Sequence, residues 1–136
     1  MRLAKDAARS VGLLSDAAKR DALQAVAAAI EAAADDIIAA NDDDLAHGRE
    51  SGLGAAMQDR LRLDAPRVAA LAAAVRDIAA LPDPVGRVLD ERTLPSGVRL
   101  QKVSVPFGVV GAIYEARPNV TVDITALALR SGNAVV

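Results

Sequence analysis

Cysteine and tryptophan are absent from the 136 residues, and there is one His, one Tyr and one Phe. Without a thiol there is no disulfide framework, no thiolate nucleophile and no Cys-ligated zinc. A single His cannot build a His-rich cluster, so no metal site is expected. Aromatics are 1% of the chain, which leaves nucleic-acid bases little to stack on. Charge of one sign is lacking too: 16 Lys plus Arg against 18 Asp plus Glu give a formal net charge of -2. No basic footprint for nucleic acid results. No run of about 18 uncharged apolar residues exists, which excludes a membrane-spanning helix. The start, Met1-Arg2-Leu3-Ala4-Lys5-Asp6 with Arg9 close behind, has no apolar core of a secretory signal. A soluble intracellular protein is the expectation. The length suits one domain or a piece of one, able to bury roughly 68% of its unfolded surface.

Alanine is abundant within the 52% apolar fraction, and it favours helix. Residues 1–84 read as a helical region. Ser15 is a plausible N-cap, its hydroxyl accepting from a first-turn amide. Leu23, Val26, Ile30, Ala33, Ile37, Asn41 and Leu45 then recur at helical spacing, broken by one polar Asn. The pattern predicts one helix over 16–46, with Lys19, Arg20, Gln24, Glu31 and Asp35 on its outer face. Asp64 opens a second helix, with Pro66 tolerated in its first turn. Val68, Leu71, Val75 and Ile78 form its inner stripe, and Pro82 and Pro84 stop it.

Residues 85–105 read as a β-hairpin, two short runs around Pro95-Ser96-Gly97, where Gly97 adopts positive φ at little cost. Residues 106–136 read as the start of a further unit. Phe107 to Tyr114 is a continuous apolar run, as in a parallel strand covered on both faces. Val120 to Arg130 predicts a helix closed by Gly132-Asn133, and Ala134-Val135-Val136 opens another strand. Strand, helix and strand make one βαβ unit, with a right-handed crossover expected. One such unit cannot cover its own faces, so the chain is read as the N-terminal part of a larger α/β protein.

The turn Glu115-Ala116-Arg117-Pro118-Asn119 joins that apolar strand to that helix. Ligands of open α/β sheets bind at the carboxyl ends of strands, and a helix start suits an anion. Arg117 could hold a phosphate or carboxylate bidentately, or serve only as a solvated or salt-bridged loop residue. Glu115 could simply pair with Arg117, Asn119 could be only an N-cap, and Tyr114 could be core or interface packing. Gly108 and Gly111 match no phosphate-loop spacing and suggest close backbone approach by a packed helix. His47 reads as a capping or surface residue, and Asp42-Asp43-Asp44 as a solvated face.

The run from Val105 through Pro106-Phe107-Gly108-Val109-Val110-Gly111-Ala112-Ile113-Tyr114-Glu115-Ala116-Arg117-Pro118-Asn119-Val120-Thr121-Val122-Asp123 resembles the signature stretch of the gamma-glutamyl phosphate reductases, or glutamate-5-semialdehyde dehydrogenases. Ala39-Ala40-Asn41 with Asp44-Leu45, Asp59-Arg60-Leu61-Arg62-Leu63, Leu81-Pro82-Asp83-Pro84-Val85-Gly86 and Arg92-Thr93-Leu94-Pro95-Ser96-Gly97 are similar to the same family, in order along the chain.

The resemblance implies the aldehyde dehydrogenase superfamily fold: N-terminal helices, the hairpin of an oligomerisation arm, and the first βαβ unit of a Rossmann-like cofactor domain. It implies NADPH-dependent reduction of L-glutamyl 5-phosphate to L-glutamate 5-semialdehyde, the second step of proline biosynthesis from glutamate. The family uses a Cys thiolate as nucleophile, which lies beyond this chain, so the chain alone should be inactive. The resemblance makes Asn119 a candidate oxyanion donor, although it lies two residues beyond the ungapped superfamily position, which Arg117 occupies. Arg117 becomes a candidate substrate ligand, and Ile113, Tyr114 and Glu115 candidate walls of the cofactor site. It implies a cytoplasmic homo-oligomer when full length, and glutamate 5-kinase as a partner that would shield the acyl phosphate. Two other readings compete: a stand-alone Ala-rich helical interaction module, and another dehydrogenase of the same superfamily.

Overall fold

A computed structural model describes residues 2–115 and 117–136, so Met1 and Ala116 of the polar turn lie outside the described residues. Ser15 caps a helix, α2, that follows a short first helix, α1 (Arg2–Val11). The Ser15 hydroxyl accepts from the Ala18 N–H at 3.2 Å. α2 covers Asp16–Ala32 and α3 covers Ala34–Glu50. The expected single helix over 16–46 is therefore two. Ala33, at φ -96° and ψ 13°, leaves the helical path for one residue. The stripe itself survives the break, because Leu23 on α2 and Asn41 and Leu45 on α3 are all buried. The redirection lets Asn41 and Leu45 face α4 (Ala55–Leu61) and the start of α5 (Ala65–Ala80).

The expected faces of α2 are revised at two places. Val26 is 41% exposed, whereas Ala27 is fully buried. Lys19, expected outside, is 1% exposed. Lys19, Leu23 and Ala27 recur every fourth residue and so share one face. The physical reason is close helix packing: α2 meets α5, and α5 meets α6 (Pro118–Arg130), through Ala27, Ala72, Ala79 and Ala126 around Leu23 and Val75. Small side chains allow the axes to approach, which a ranking by hydropathy alone overlooks. α5 meets expectation: Asp64 caps it through the Arg67 N–H at 3.0 Å, and Val68, Leu71 and Val75 are buried.

The hairpin pairs β1 (Val88–Thr93) with β2 (Arg99–Val103) antiparallel, with an irregularity between Val88 and Asp90. Every residue of both strands is exposed. β3 (Val109–Val110) and β4 (Ala134–Val135) are parallel neighbours joined through α6, which establishes the βαβ unit. The chain is thus α/β.

The expected doubly buried strand over 107–114 is cut back. Only Val109 and Val110 pair as a strand, and both are half-buried. Phe107 is 93% exposed and Ile113 stands wholly in solvent. A parallel strand is buried only when layers cover both of its faces, and Phe107 and Ile113 have no such cover in this chain. The two strand glycines also depart from expectation: a Cβ at Gly108 or Gly111 would meet nothing within 4 Å. Close approach occurs instead at Gly132, where a Cβ would lie 2.9 Å from Pro106 Cγ and φ is +75°.

A polar seam ties the helical layer to the βαβ unit. Buried Lys19 pairs with Asp83, on the linker leaving α5. Burial alone would raise the Asp83 carboxyl. Hydrogen bonds from Lys19 and the Val85 N–H, with the charges of Lys19 and Arg130, hold it below the usual carboxylate range instead. Arg130, 3% exposed at the end of α6, donates through Nε to the Leu81 carbonyl at 3.0 Å. Its Nη1 lies 2.6 Å from Asp16 Oδ1, an ion pair without hydrogen-bond alignment. Asn133 Oδ1 accepts from the Gly108 N–H at 2.9 Å, closing β4 onto the approach to β3.

Candidate functional site

α6 begins without a side-chain cap. Arg117 occupies the N-cap position at φ -135° and ψ 99°, and Pro118 opens the helix. Asn119 is therefore not the cap; it is the second helical residue, and its exposed side chain is available to a ligand. Pro118 has no N–H to leave unpaired. The Val120 N–H is taken by the Arg117 carbonyl at 3.0 Å, and the positive end of the helix dipole still favours an anion beside it.

That helix start forms one wall of a cleft of about 500 Å³. Arg117, Pro118, Asn119 and Asp123 line it from α6, and Ala70, Leu71 and Ala74 from α5. The opposite wall is Asp59 and Arg60 from α4, Arg62 and Leu63 from the segment leading into α5, and Arg67 from the first turn of α5. The turn after β3 and the motif Asp59-Arg60-Leu61-Arg62-Leu63, more than fifty residues apart, thus share one cleft.

The charges in the cleft are unequal. Arg67 is engaged, with Nη2 donating to Asp59 Oδ1 at 3.0 Å and Nη1 to the Arg62 carbonyl at 2.9 Å. Arg60, Arg62 and Arg117 form no ion pair among the described residues. Asp123 is the remaining carboxylate. Three guanidiniums facing one carboxylate make a site for an anionic ligand, with bidentate geometry available at each. The expected Glu115–Arg117 pair is not formed among the described residues; both side chains are exposed.

The other face of the α6 start borders a hollow of about 250 Å³ at the carboxyl ends of β3 and β4. Ala112, Ile124 and Val135 give it apolar walls, and Tyr114, Thr121 and Thr125 bring hydroxyls. Tyr114 is not core: it is 44% exposed, and its hydroxyl lies 2.7 Å from Thr121 Oγ1. Ile113 and Glu115 project into solvent beside this hollow. The sequence singled out Arg117 and Asn119 but no function for Arg60 and Arg62; their place within a motif shared with a family was the available signal. His47 is a surface residue whose Nδ1 lies 2.8 Å from the Asp43 carbonyl.

The chain is an α/β unit with a cationic cleft at a strand-to-helix turn. No family model matches the chain. Individual proteins do. It is 59% identical over 135 residues, 99% of its length, to a gamma-glutamyl phosphate reductase of Kineococcus radiotolerans. It is 54% identical over 132 residues to one of Xanthomonas oryzae. The crystal structure of the Thermotoga maritima gamma-glutamyl phosphate reductase superposes with a TM-score of 0.95 over 98% of this chain, at 35% identity. That of Saccharomyces cerevisiae gives 0.93 at 36% identity. The chain spans about a third of the length of these relatives: 31% and 32% of the two bacterial proteins, and 32% and 34% of the two crystallised chains. Over nearly its whole length the chain is similar to gamma-glutamyl phosphate reductases.

Proposed function

We propose that the chain is the N-terminal part of an oxidoreductase that reduces L-glutamyl 5-phosphate to L-glutamate 5-semialdehyde, releasing phosphate, in proline biosynthesis. The observation that carries this reading is the arginine cleft, which joins Arg117 and Asn119 to Arg60 and Arg62. The substrate brings a phosphate and an α-carboxylate to be held, and an ammonium that tolerates Asp123. Asp123 can pair with that ammonium while the guanidiniums take the anionic groups.

In this reading Arg117 holds the substrate phosphate or carboxylate. Asn119 donates a hydrogen bond to the oxygen on which negative charge develops, a role that rewards a preset donor. The nucleophile comes from outside these residues, which include no cysteine. The balance is acyl phosphate plus NADPH and a proton giving aldehyde, NADP and phosphate. When bound, NADPH supplies the hydride. The strand-end hollow suits the flat end of such a cofactor, having apolar walls and hydroxyls at Tyr114, Thr121 and Thr125. Ile113, Tyr114 and Glu115 would wall it. The fold would be that of the aldehyde dehydrogenase superfamily, with residues 1–84 as helical region, 85–105 as oligomerisation arm and 106–136 as the start of the cofactor domain. Exposed Val88, Leu89, Val98 and Leu100 on the hairpin favour a homo-oligomer, and the family favours a cytoplasmic enzyme served by glutamate 5-kinase.

The complete reductase should oxidise NADPH with glutamyl phosphate, and run backwards with glutamate semialdehyde, NADP and phosphate. Arg117→Ala should raise KM for phosphate or for glutamate semialdehyde in the reverse direction by about tenfold, since a bond to a charged group contributes about 1.5–3 kcal/mol. Unchanged kinetics would remove Arg117 from the site. Activity on aspartate semialdehyde in place of glutamate semialdehyde would reassign the substrate.

A further inference from the structure

Arg62 is an exposed residue on an irregular segment, yet its backbone is fixed on every side. Its N–H donates to the Gln58 carbonyl at 3.0 Å. Its carbonyl accepts from Arg67 Nη1 at 2.9 Å. Asn41, 4% exposed on α3, grips the two neighbouring peptide groups. Its Nδ2 donates to the Leu61 carbonyl at 2.9 Å, and its Oδ1 accepts from the Leu63 N–H at 2.7 Å. Asn41 thus interrupts an otherwise apolar stripe in order to hold two backbone groups that would be costly to bury unpaired.

What this clamp presents is a guanidinium that forms no ion pair among the described residues. Arg62 stands on the ridge between the arginine cleft and a second hollow that Asp42 and Asp64 border. Neither carboxylate lies within ion-pair distance of it among the described residues. Asp64 is committed to capping α5. Because the backbone under Arg62 is already fixed, binding through its side chain carries no added cost of ordering the segment; only the side-chain rotamers remain to be immobilised.

We propose that Arg62 is a second anion-binding arm facing Arg117, with Asn41 as its positioning residue, so that the cleft takes its ligand by two separated anionic groups. The proposal rests on reading the cleft as the substrate site. One arm engages the phosphate and the other the α-carboxylate of an amino acid phosphorylated on its side chain.

The test uses the complete reductase, with two readouts run in parallel: steady-state kinetics in the reverse direction, and calorimetric titration of inorganic phosphate and L-glutamate without turnover. Arg62→Ala should weaken one of these two ligands about tenfold and raise the matching KM equally, with kcat within twofold. Arg117→Ala should weaken the other. Arg62→Lys should recover part of the loss, because it restores charge without the fork. Asn41→Ala should reproduce the KM effect of Arg62→Ala, and the double variant should add nothing further, the signature of action through one residue. Binding of both ligands within twofold of the parent in Arg62→Ala, with the protein folded, would overturn the proposal. A complete protein without reductase activity that loses ligand in Arg62→Ala would overturn the assigned reaction and leave the second arm standing.

Discussion

The helical layer and the strand-bearing part of this chain treat their apolar side chains in opposite ways. Between α2, α5 and α6, residues as small as alanine reach complete burial. In the hairpin and around β3, residues as large as Phe107 and Ile113 stand in water. The difference teaches which rule each part obeys. A helix satisfies its backbone internally and needs one packed face, which α2, α5 and α6 supply to one another. A parallel sheet needs layers on both sides, which one βαβ unit does not contain. Stability should therefore be concentrated in the layer and its seam, and binding surface in the rest.

Lys19→Met should have the largest effect, because it strikes the seam where the two parts meet. Breaking a buried pair leaves the partner charge uncompensated, at about 3–5 kcal/mol. Asp83 keeps 18% of its side chain exposed, so the lower end, about 3 kcal/mol, is expected near neutral pH. The Asp83 carboxyl is held below its ordinary value in the folded state. Its contribution is therefore complete above the unfolded value of about 4 and is lost as pH falls through the folded one. The penalty of Lys19→Met should shrink in acid. A penalty independent of pH, measured by denaturant melts from pH 3 to 7, would show that the seam is not electrostatic.

Gly132→Ala should come next. It sharpens the comparison, since this glycine lies where α6 meets β4 and where Pro106 and Val85 close over it. A Cβ there must both occupy the left-handed region and displace the Pro106 ring, costing about 2–3 kcal/mol. The same change at Gly111 meets open space at an ordinary φ and should cost under about 0.5 kcal/mol. Equal effects at the two sites, compared in one series of melts, would break the distinction between a packed seam and an open strand end.

Much of the layer was legible in the sequence because its signals are local. Ser15 and Asp64 cap the helices they were expected to cap, and the stripe from Leu23 to Leu45 runs through both α2 and α3. The break at Ala33 was illegible, since no Gly, Pro or cap residue marks it; only the need for Asn41 to reach Leu61 and Leu63 explains it. Lys19 was read as outward because charge normally is, and its partner Asp83 lies more than sixty residues away. The site was half legible. The polar turn after an apolar strand pointed to Arg117 and Asn119, but periodicity cannot bring residues 59–62 to residue 117. Asn41 carried a signal in plain view, a polar residue within an apolar stripe, whose meaning depended on an irregular segment no pattern describes.

The smallest effect is expected on the outer surface of the same layer. Arg76 on α5 and Glu31 on α2 form a bidentate pair, both bonds at 2.6 Å. The Arg76 hydrogen bonds lower the Glu31 carboxyl below its ordinary value; desolvation opposes them, and the Arg76 charge adds to the lowering. By the same sign as Asp83, the contribution is present above the unfolded value and fades as pH falls through the folded one. Here, however, both side chains are in solvent, where mobile ions screen and ordering two long side chains offsets the attraction. Glu31→Gln should move the melting temperature far less than Lys19→Met, and raising the salt concentration should erase the difference from the parent. A bidentate pair in solvent would then be worth less than a single ammonium–carboxylate pair that is buried. A Glu31→Gln loss as large as that of Lys19→Met, persisting in high salt, would relocate the stability of the layer from its seam to its surface.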